Sequence, residues 1–166
     1  SNFNPIGFIG TGLMGVCFIK RLSEVNYLIN AYDKRQEKLE LLKGEDKISL
    51  SINPAQVSKN CDIIFICVDK TENVKDVVFG DNGIIQNASE NTIIVDLSTT
   101  LANETINFSK KIKLEKRSSW VDAPISGGPE KALNGSLAIM VGGEQKDIDI
   151  ISPILNDISL NFTHFG

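Results

Sequence analysis

The feature that most constrains this chain is a glycine spacing, Gly10-Thr11-Gly12-Leu13-Met14-Gly15, set between two contrasting apolar patterns. Before it, Ile6-Gly7-Phe8-Ile9 reads as a short buried strand. After it, Leu13 to Val25 reads as an amphipathic helix with Leu13, Val16, Cys17, Leu22 and Val25 on its apolar side. A G-x-G-x-x-G alone is a weak signal, but between a strand and a helix it has a mechanism. Gly10 permits a tight turn, Gly12 lets a pyrophosphate approach the backbone without meeting a Cβ, and Gly15 lets helix and strand pack closely. The unpaired N–H groups at the helix start carry roughly half a positive charge and suit an anion. Leu13 and Met14 are expected beside the bound group with the three glycines. A plain structural turn without a ligand is the alternative.

Asp33 adds a second signal. It closes the next apolar run, Tyr27 to Tyr32, 18 residues after Gly15. A carboxylate at about that distance meets the adenosine ribose hydroxyls of a dinucleotide. It would repel the 2′-phosphate of NADP, whereas Lys34 and Arg35, which follow at once, would attract it or simply begin a solvated helix. These residues lean towards NAD and leave NADP open.

The same alternation continues along the chain. Charged residues from Gln36 to Leu42 read as a helix, Pro54 after Asn53 opens another, and Asp62 to Val68 is apolar enough for a strand covered on both faces. Further helices are expected near Glu72–Phe79, Leu101–Ile112 and Gln145–Leu155. Further strands are expected at Thr92–Asp96, Trp120–Ala123, Leu137–Val141 and Leu160–Thr163, with a turn at Gly80-Asp81-Asn82-Gly83. Strand and helix in alternation predict an α/β fold, a Rossmann-type doubly wound and mostly parallel sheet with helices on both faces. At 166 residues the chain is expected to be one dinucleotide-binding domain, residues 1–166.

Composition excludes several other classes. Hydrophobic residues at 42% and charged residues at 23% belong to a globular chain, not a disordered one. A net charge of −4 leaves no cationic stripe for nucleic acid. No apolar run is long enough to span a membrane, and no secretory leader is read at the start. Ser1-Asn2, with no initial Met, reads as a remnant of expression. Cys17, Cys61 and Cys67 form no C-x-x-C and read as buried small hydrophobes in a reducing cytoplasm. No metal site is read, because nothing pairs histidine with cysteine at ligand spacing.

A more specific motif lies further on: Asp122-Ala123-Pro124-Ile125-Ser126-Gly127-Gly128, then Gly135-Ser136-Leu137 and Met140-Val141-Gly142-Gly143. With the opening Gly7-Phe8-Ile9-Gly10 and the turn Asp96-Leu97-Ser98-Thr99, the chain resembles the β-hydroxyacid dehydrogenase family over essentially its whole length. The resemblance implies that Ser126, Gly127 and Gly128 hold a substrate carboxylate with a hydroxyl and backbone N–H groups. It places Val68 and Asp69 against the cofactor, makes Asn73 a cofactor contact, and sets Ser98 or Thr99 near the nicotinamide ribose. Local roles are the alternatives: Ser98 as a helix cap, Asn73 as an exposed helix residue. Phe18, Ile19, Arg21, Asp69 and Lys131 depart from the family's usual residues, although Pro129-Glu130-Lys131-Ala132 resembles its tartronate semialdehyde reductase branch.

The resemblance further implies an NAD- or NADP-dependent oxidoreductase acting on a small β-hydroxy acid, of the 3-hydroxyisobutyrate or tartronate semialdehyde type. No catalytic residue is expected within this chain: the family's lysine falls beyond Gly166, on a helical second domain through which the full-length protein would form a homo-oligomer. The 166 residues alone are therefore expected to be inactive. His164, the single histidine, is read as structural and not as the base. The rival reading is a non-catalytic nucleotide-binding sensor or scaffold module.

Overall fold

The structure, a computed structural model, describes residues 4–166, so the expectation for Ser1-Asn2 lies outside the described residues. The apolar runs do form strands. β1 (Ile6–Ile9), β2 (Ile29–Tyr32), β3 (Ile48–Leu50), β4 (Ile63–Ile66), β5 (Ile93–Asp96) and β6 (Ser119–Asp122) make one sheet in the order β3-β2-β1-β4-β5-β6. Every neighbouring pair is parallel. Between them run α1 (Leu13–Glu24), α2 (Gln36–Leu39), α3 (Pro54–Asn60), α4 (Thr71–Phe79) and α5 (Ala102–Lys116).

Successive side chains of a strand point to opposite faces, so each central strand feeds two cores. Phe65 joins Phe8, Phe18 and Leu22 in one buried cluster, while Ile64 and Ile66 join Val57, Phe108 and Trp120 in the other. This confirms the doubly wound architecture. Burial on both faces also explains why β1, β4 and β5 read as continuous apolar runs and not as alternating ones.

After β6 the chain builds a smaller sheet. β7 (Ile125–Ser126), α6 (Pro129–Asn134), β8 (Leu137–Val141), α7 (Gln145–Ile158) and β9 (Ser159–His164) follow in turn. The sheet order is β7-β8-β9, with β7–β8 antiparallel and β8–β9 parallel, α7 being the crossover. A backbone bridge joins the two sheets: the Asp122 and Gly142 N–H groups each donate to the other's carbonyl, at 2.9 and 2.8 Å. α7 is also tied to α1. Arg21 Nε donates to the Asp157 carbonyl at 2.8 Å, and the Tyr27 hydroxyl donates to the Asp157 carboxylate at 2.6 Å.

Several local expectations need correction. The buried side of α1 is Gly15, Cys17, Phe18, Ile19 and Leu22, whereas Leu13 is 72% exposed and Val16 and Val25 are only half-buried. The helix contacts the sheet, α6 and α7, so its buried stripe is broader and turned from the one expected. β2 begins at Ile29, because Asn26 adopts a left-handed turn (φ 76°) that Tyr27 and Leu28 must complete. α2 stops at Leu39 and passes into a 3-10 turn at Glu40–Leu42. α5 continues to Lys116, where Arg117 turns left-handed (φ 59°), and α7 continues to Ile158. β3, α6 and β7 were not foreseen. Among the described residues, no helix is long and apolar enough to cross a membrane.

Candidate functional site

β1 and β4 lie side by side, but the chain leaves them in opposite directions along the sheet. Such a switch point opens a crevice beyond the carboxyl ends of the strands. A cavity of about 900 Å³ occupies that position here. Gly10, Gly12, Leu13, Met14 and Gly15 form one wall, Asp33, Lys34 and Arg35 a second, and Val68, Asp69 and Asn73 a third.

The glycine turn is shaped by backbone contact. Gly10 has φ +106°, and a Cβ on it would run into the Cys67 carbonyl; one on Gly15 would run into the Gly10 carbonyl. Gly12 differs: the nearest atom to its missing Cβ is Arg35 Nη2 at 3.7 Å, so its surface is open to the cavity. Gly12 is also the N-cap of α1 and gives the helix no side-chain cap. The first N–H groups of α1 are thus left for a ligand.

Asp33 sits at the end of β2, 5% exposed. One carboxylate oxygen accepts from the Thr11 N–H at 2.7 Å and the Thr11 hydroxyl at 3.1 Å. The other accepts from the Arg35 N–H at 2.9 Å and Arg35 Nε at 3.2 Å, while Nη2 reaches the first oxygen at 3.3 Å. Burial alone would raise this carboxyl. The donors from Arg35 and Thr11 outweigh it and hold the group below the ordinary carboxylate value. Asp33 is therefore kept charged and braces the glycine turn through Thr11. Lys34 is exposed at the cavity wall.

The third wall is braced from β5. The Val68 N–H donates to Ser98 Oγ at 3.0 Å, and Asn73 Nδ2 donates to the Asp69 carboxylate at 2.8 Å. Ser98 is buried and does not cap α5, whose N-cap is Leu101. Its own N–H donates to Asp96, which also accepts the Thr100 hydroxyl at 2.5 Å. Burial outweighs these donors and raises the Asp96 carboxyl. Thr99 is exposed, and neither it nor Ser98 lines the cavity.

Ser126, Gly127 and Gly128 are brought to the same edge of the fold but not into the cavity. They are exposed, on β7 and the turn into α6. Asp122, just before them, pairs in register with Asp96. Burial, then the Asp96 charge, pushes the Asp122 carboxyl up to about 6. Burial and Asp96 also push the Cys67 thiol up to about 12. The His164 ring is held locally, Nε2 against the Gly143 carbonyl at 2.7 Å and Nδ1 against the Gln145 side chain at 3.0 Å. Sequence reasoning missed Tyr32, Ile52, Asn53, Val77, Asp81 and Asn82, all of which line the cavity. The turn at Asp81-Asn82 was visible, but nothing local says that it folds back over α3, where the Ala55 N–H donates to the Asn82 carbonyl.

Residues 5–166 match the family described as the NAD binding domain of 6-phosphogluconate dehydrogenase. The 2-hydroxy-3-oxopropionate reductase of Escherichia coli is 33% identical over 97% of this chain and 54% of its own length. The human cytokine-like nuclear factor N-PAC is 31% identical over 84% of this chain and 25% of its own. The solved structure of Psf3 in complex with NADP+ and 2-OPP superposes with a TM-score of 0.90 at 25% identity, over 96% of this chain and 56% of that one. The chain spans about half the length of the relatives that match it end to end.

Proposed function

This chain belongs to the family of 6-phosphogluconate dehydrogenase NAD-binding domains, and from that premise we propose that it is the NAD(P)-binding part of an oxidoreductase for a small β-hydroxy acid of the 3-hydroxyisobutyrate or tartronate semialdehyde type. One observation carries the reading: an uncapped helix start, opened by Gly12, faces a cavity at the sheet's switch point. A dinucleotide needs an anion cradle free of Cβ atoms and an acceptor for ribose hydroxyls, and Gly10–Gly15 with Asp33 fit both needs. When bound, the nicotinamide gives or takes the hydride.

The chain's own residues bind and orient. The α1 N–H groups hold the pyrophosphate, Asp33 holds the adenosine ribose, and Val68, Asp69 and Asn73 line the path towards the nicotinamide. Ser98 acts through Val68, whose N–H it fixes, and Thr99 flanks that turn. Ser126, Gly127 and Gly128 receive the substrate carboxylate through a hydroxyl and backbone N–H groups. The group that exchanges the substrate's proton is a lysine outside residues 1–166, so these residues alone bind cofactor but give little or no turnover. Turnover by this chain with either hydroxy acid would overturn that assignment.

NAD is preferred over NADP by a small margin. The charged Asp33 stands where a 2′-phosphate would come, while Arg35 and Lys34 partly cancel its repulsion. Calorimetric titration with NADH and NADPH separately tests this. Tighter NADH is the expected result, tighter NADPH overturns the preference, and binding of neither overturns the cofactor reading. The likeness to a protein named as a nuclear factor favours a second reading, a nucleotide-binding module without turnover. That reading requires the same cofactor binding but no lysine at the family's position in the full-length protein.

A further inference from the structure

Lys131 lies on α6, one turn beyond the exposed glycine pair. Helical side chains lean towards the helix N-terminus and cover the preceding turn, so position 131 overlies positions 127 and 128. The contacts agree. The site of a Cβ on Gly127 lies 3.1 Å from Lys131 Cδ and 3.4 Å from its Cβ, with Leu137 Cδ2 at 2.9 Å. The lysine stem therefore runs across Gly127, and the ammonium is two bonds beyond Cδ. At Gly128 a Cβ would meet nothing within 4 Å, so the surface beside the stem is open.

That ammonium has no acidic neighbour on its own helix face. The positions three and four residues away are Gly127, Gly128, Asn134 and Gly135, while Glu130 is adjacent in sequence and points elsewhere. Among the described residues, the cations paired with carboxylates are Lys43 with Glu40, Lys113 and Lys146 with Glu144, and Arg35 with Asp33, and Lys131 is not one of them. Arg21, which approaches the far end of α6 at Gly135, is held by the Asp157 carbonyl. An uncommitted cation above exposed glycine N–H groups, in a chain of net charge −4, is an arrangement for an incoming anion.

We infer that Lys131 is a specificity-determining residue, whose ammonium pairs with the carboxylate of a small hydroxy acid resting on the Ser126-Gly127-Gly128 backbone. This rests on the reading of that segment as the substrate floor. The backbone donors set where the carboxylate sits, and Lys131 sets how strongly an acid is preferred over a neutral alcohol of the same size.

The test is a titration of the 15N-labelled chain with glycerate, and with glycerol as the uncharged comparator, following the Gly127 and Gly128 amides. Glycerate is expected to shift both signals to saturation, and glycerol to leave them in place. Lys131→Met is expected to weaken glycerate about fivefold, the upper range for an exposed ion pair, and Lys131→Arg to keep most of the affinity. Raising salt from about 0.05 to about 0.5 M should weaken the wild-type chain and barely affect Lys131→Met. Wild-type affinity in Lys131→Met, with both amides still shifting, overturns the role of Lys131 and leaves the floor intact. No shift of these amides in the wild-type chain overturns the floor and the inference together. Unchanged signals far from α6 show that a variant is folded, and Lys131→Gln serves as a second neutral replacement.

Discussion

Asp33 and Asp122 both close a strand at the carboxyl edge of one sheet, on either side of the β1–β4 switch point, and their surroundings drive them apart. Asp33 is surrounded by donors from Thr11 and Arg35, which keep it charged despite burial. Asp122 is next to a second carboxylate, Asp96, and burial with that charge holds its proton up to about pH 6. The backbone beside them differs in the same sense. The turn beside Asp33 is locked by contacts between main-chain atoms, whereas Ser126-Gly127-Gly128 beyond Asp122 is open to solvent. The glycine-turn side is preformed and ion-paired; the Ser126-Gly127-Gly128 side is exposed and follows an acid raised to about 6.

The largest effect that would break this contrast is steric. Gly10→Ala is expected to cost more than about 4 kcal/mol or prevent folding, since a Cβ there meets the Cys67 carbonyl at a positive φ. Urea unfolding measures it, and a loss under about 1 kcal/mol would show that the turn is not locked. Next comes Asp33→Asn, which removes a charged acceptor from five buried or half-buried donor groups of Thr11 and Arg35. We expect a loss of about 1–3 kcal/mol at neutral pH by the same method, with weaker NADH binding.

The two carboxylates also predict opposite pH dependences. Asp33, lowered in the folded state, contributes stability present above the unfolded carboxyl value and lost as pH falls through the folded one. Asp122, raised to about 6, binds its proton more tightly folded than unfolded, so its contribution declines as pH rises from about 4 to about 6. Thermal melting across that window should decline less steeply in Asp122→Asn than in the wild type. Identical slopes would show that Asp122 is not the group responsible. The smallest effect is Gly128→Ala, expected within about 0.5 kcal/mol because nothing lies near its Cβ position. A larger loss would mean that the Gly127-Gly128 segment is as tightly built as the glycine turn.

What could be read from the sequence follows the same division. β1, β4 and β5 were legible because strands buried on both faces are nearly continuous apolar runs, broken here only by Asp96 at the end of β5. Gly10 to Gly15 and Asp33 were legible because strand, glycine turn and terminal carboxylate follow one another at fixed distances, whereas Val68, Asp69 and Asn73 were marked by the family resemblance alone. β3 was not, since an edge strand of three residues, an exposed Ser49 between half-buried Ile48 and Leu50, is too short to establish an alternation. Nor was α6, whose six residues are too few to show a helical period. The partnership of Asp96 with Asp122 depends on the β5–β6 register, and the cavity contributions of Ile52, Asp81 and Asn82 depend on how distant loops converge. Ser98 was marked as a site residue, but its hold on the Val68 N–H, across 30 residues, appears only in the fold.

The three thiols are distributed in a way that gives the molecule internal timers. Cys17 is buried on the helix behind the glycine turn, Cys61 lies in the opposite core after α3, and Cys67 forms part of the cavity wall. Alkylating reagents attack the thiolate, and burial pushes both Cys61 and Cys67 up to about 12. Labelling at buried Cys17 and Cys61 therefore waits on the opening of their surroundings, while half-buried Cys67 is slowed chiefly by its raised thiol, so two rates from one chain would rank how often the turn and the far core breathe, and the third would report occupancy of the cavity.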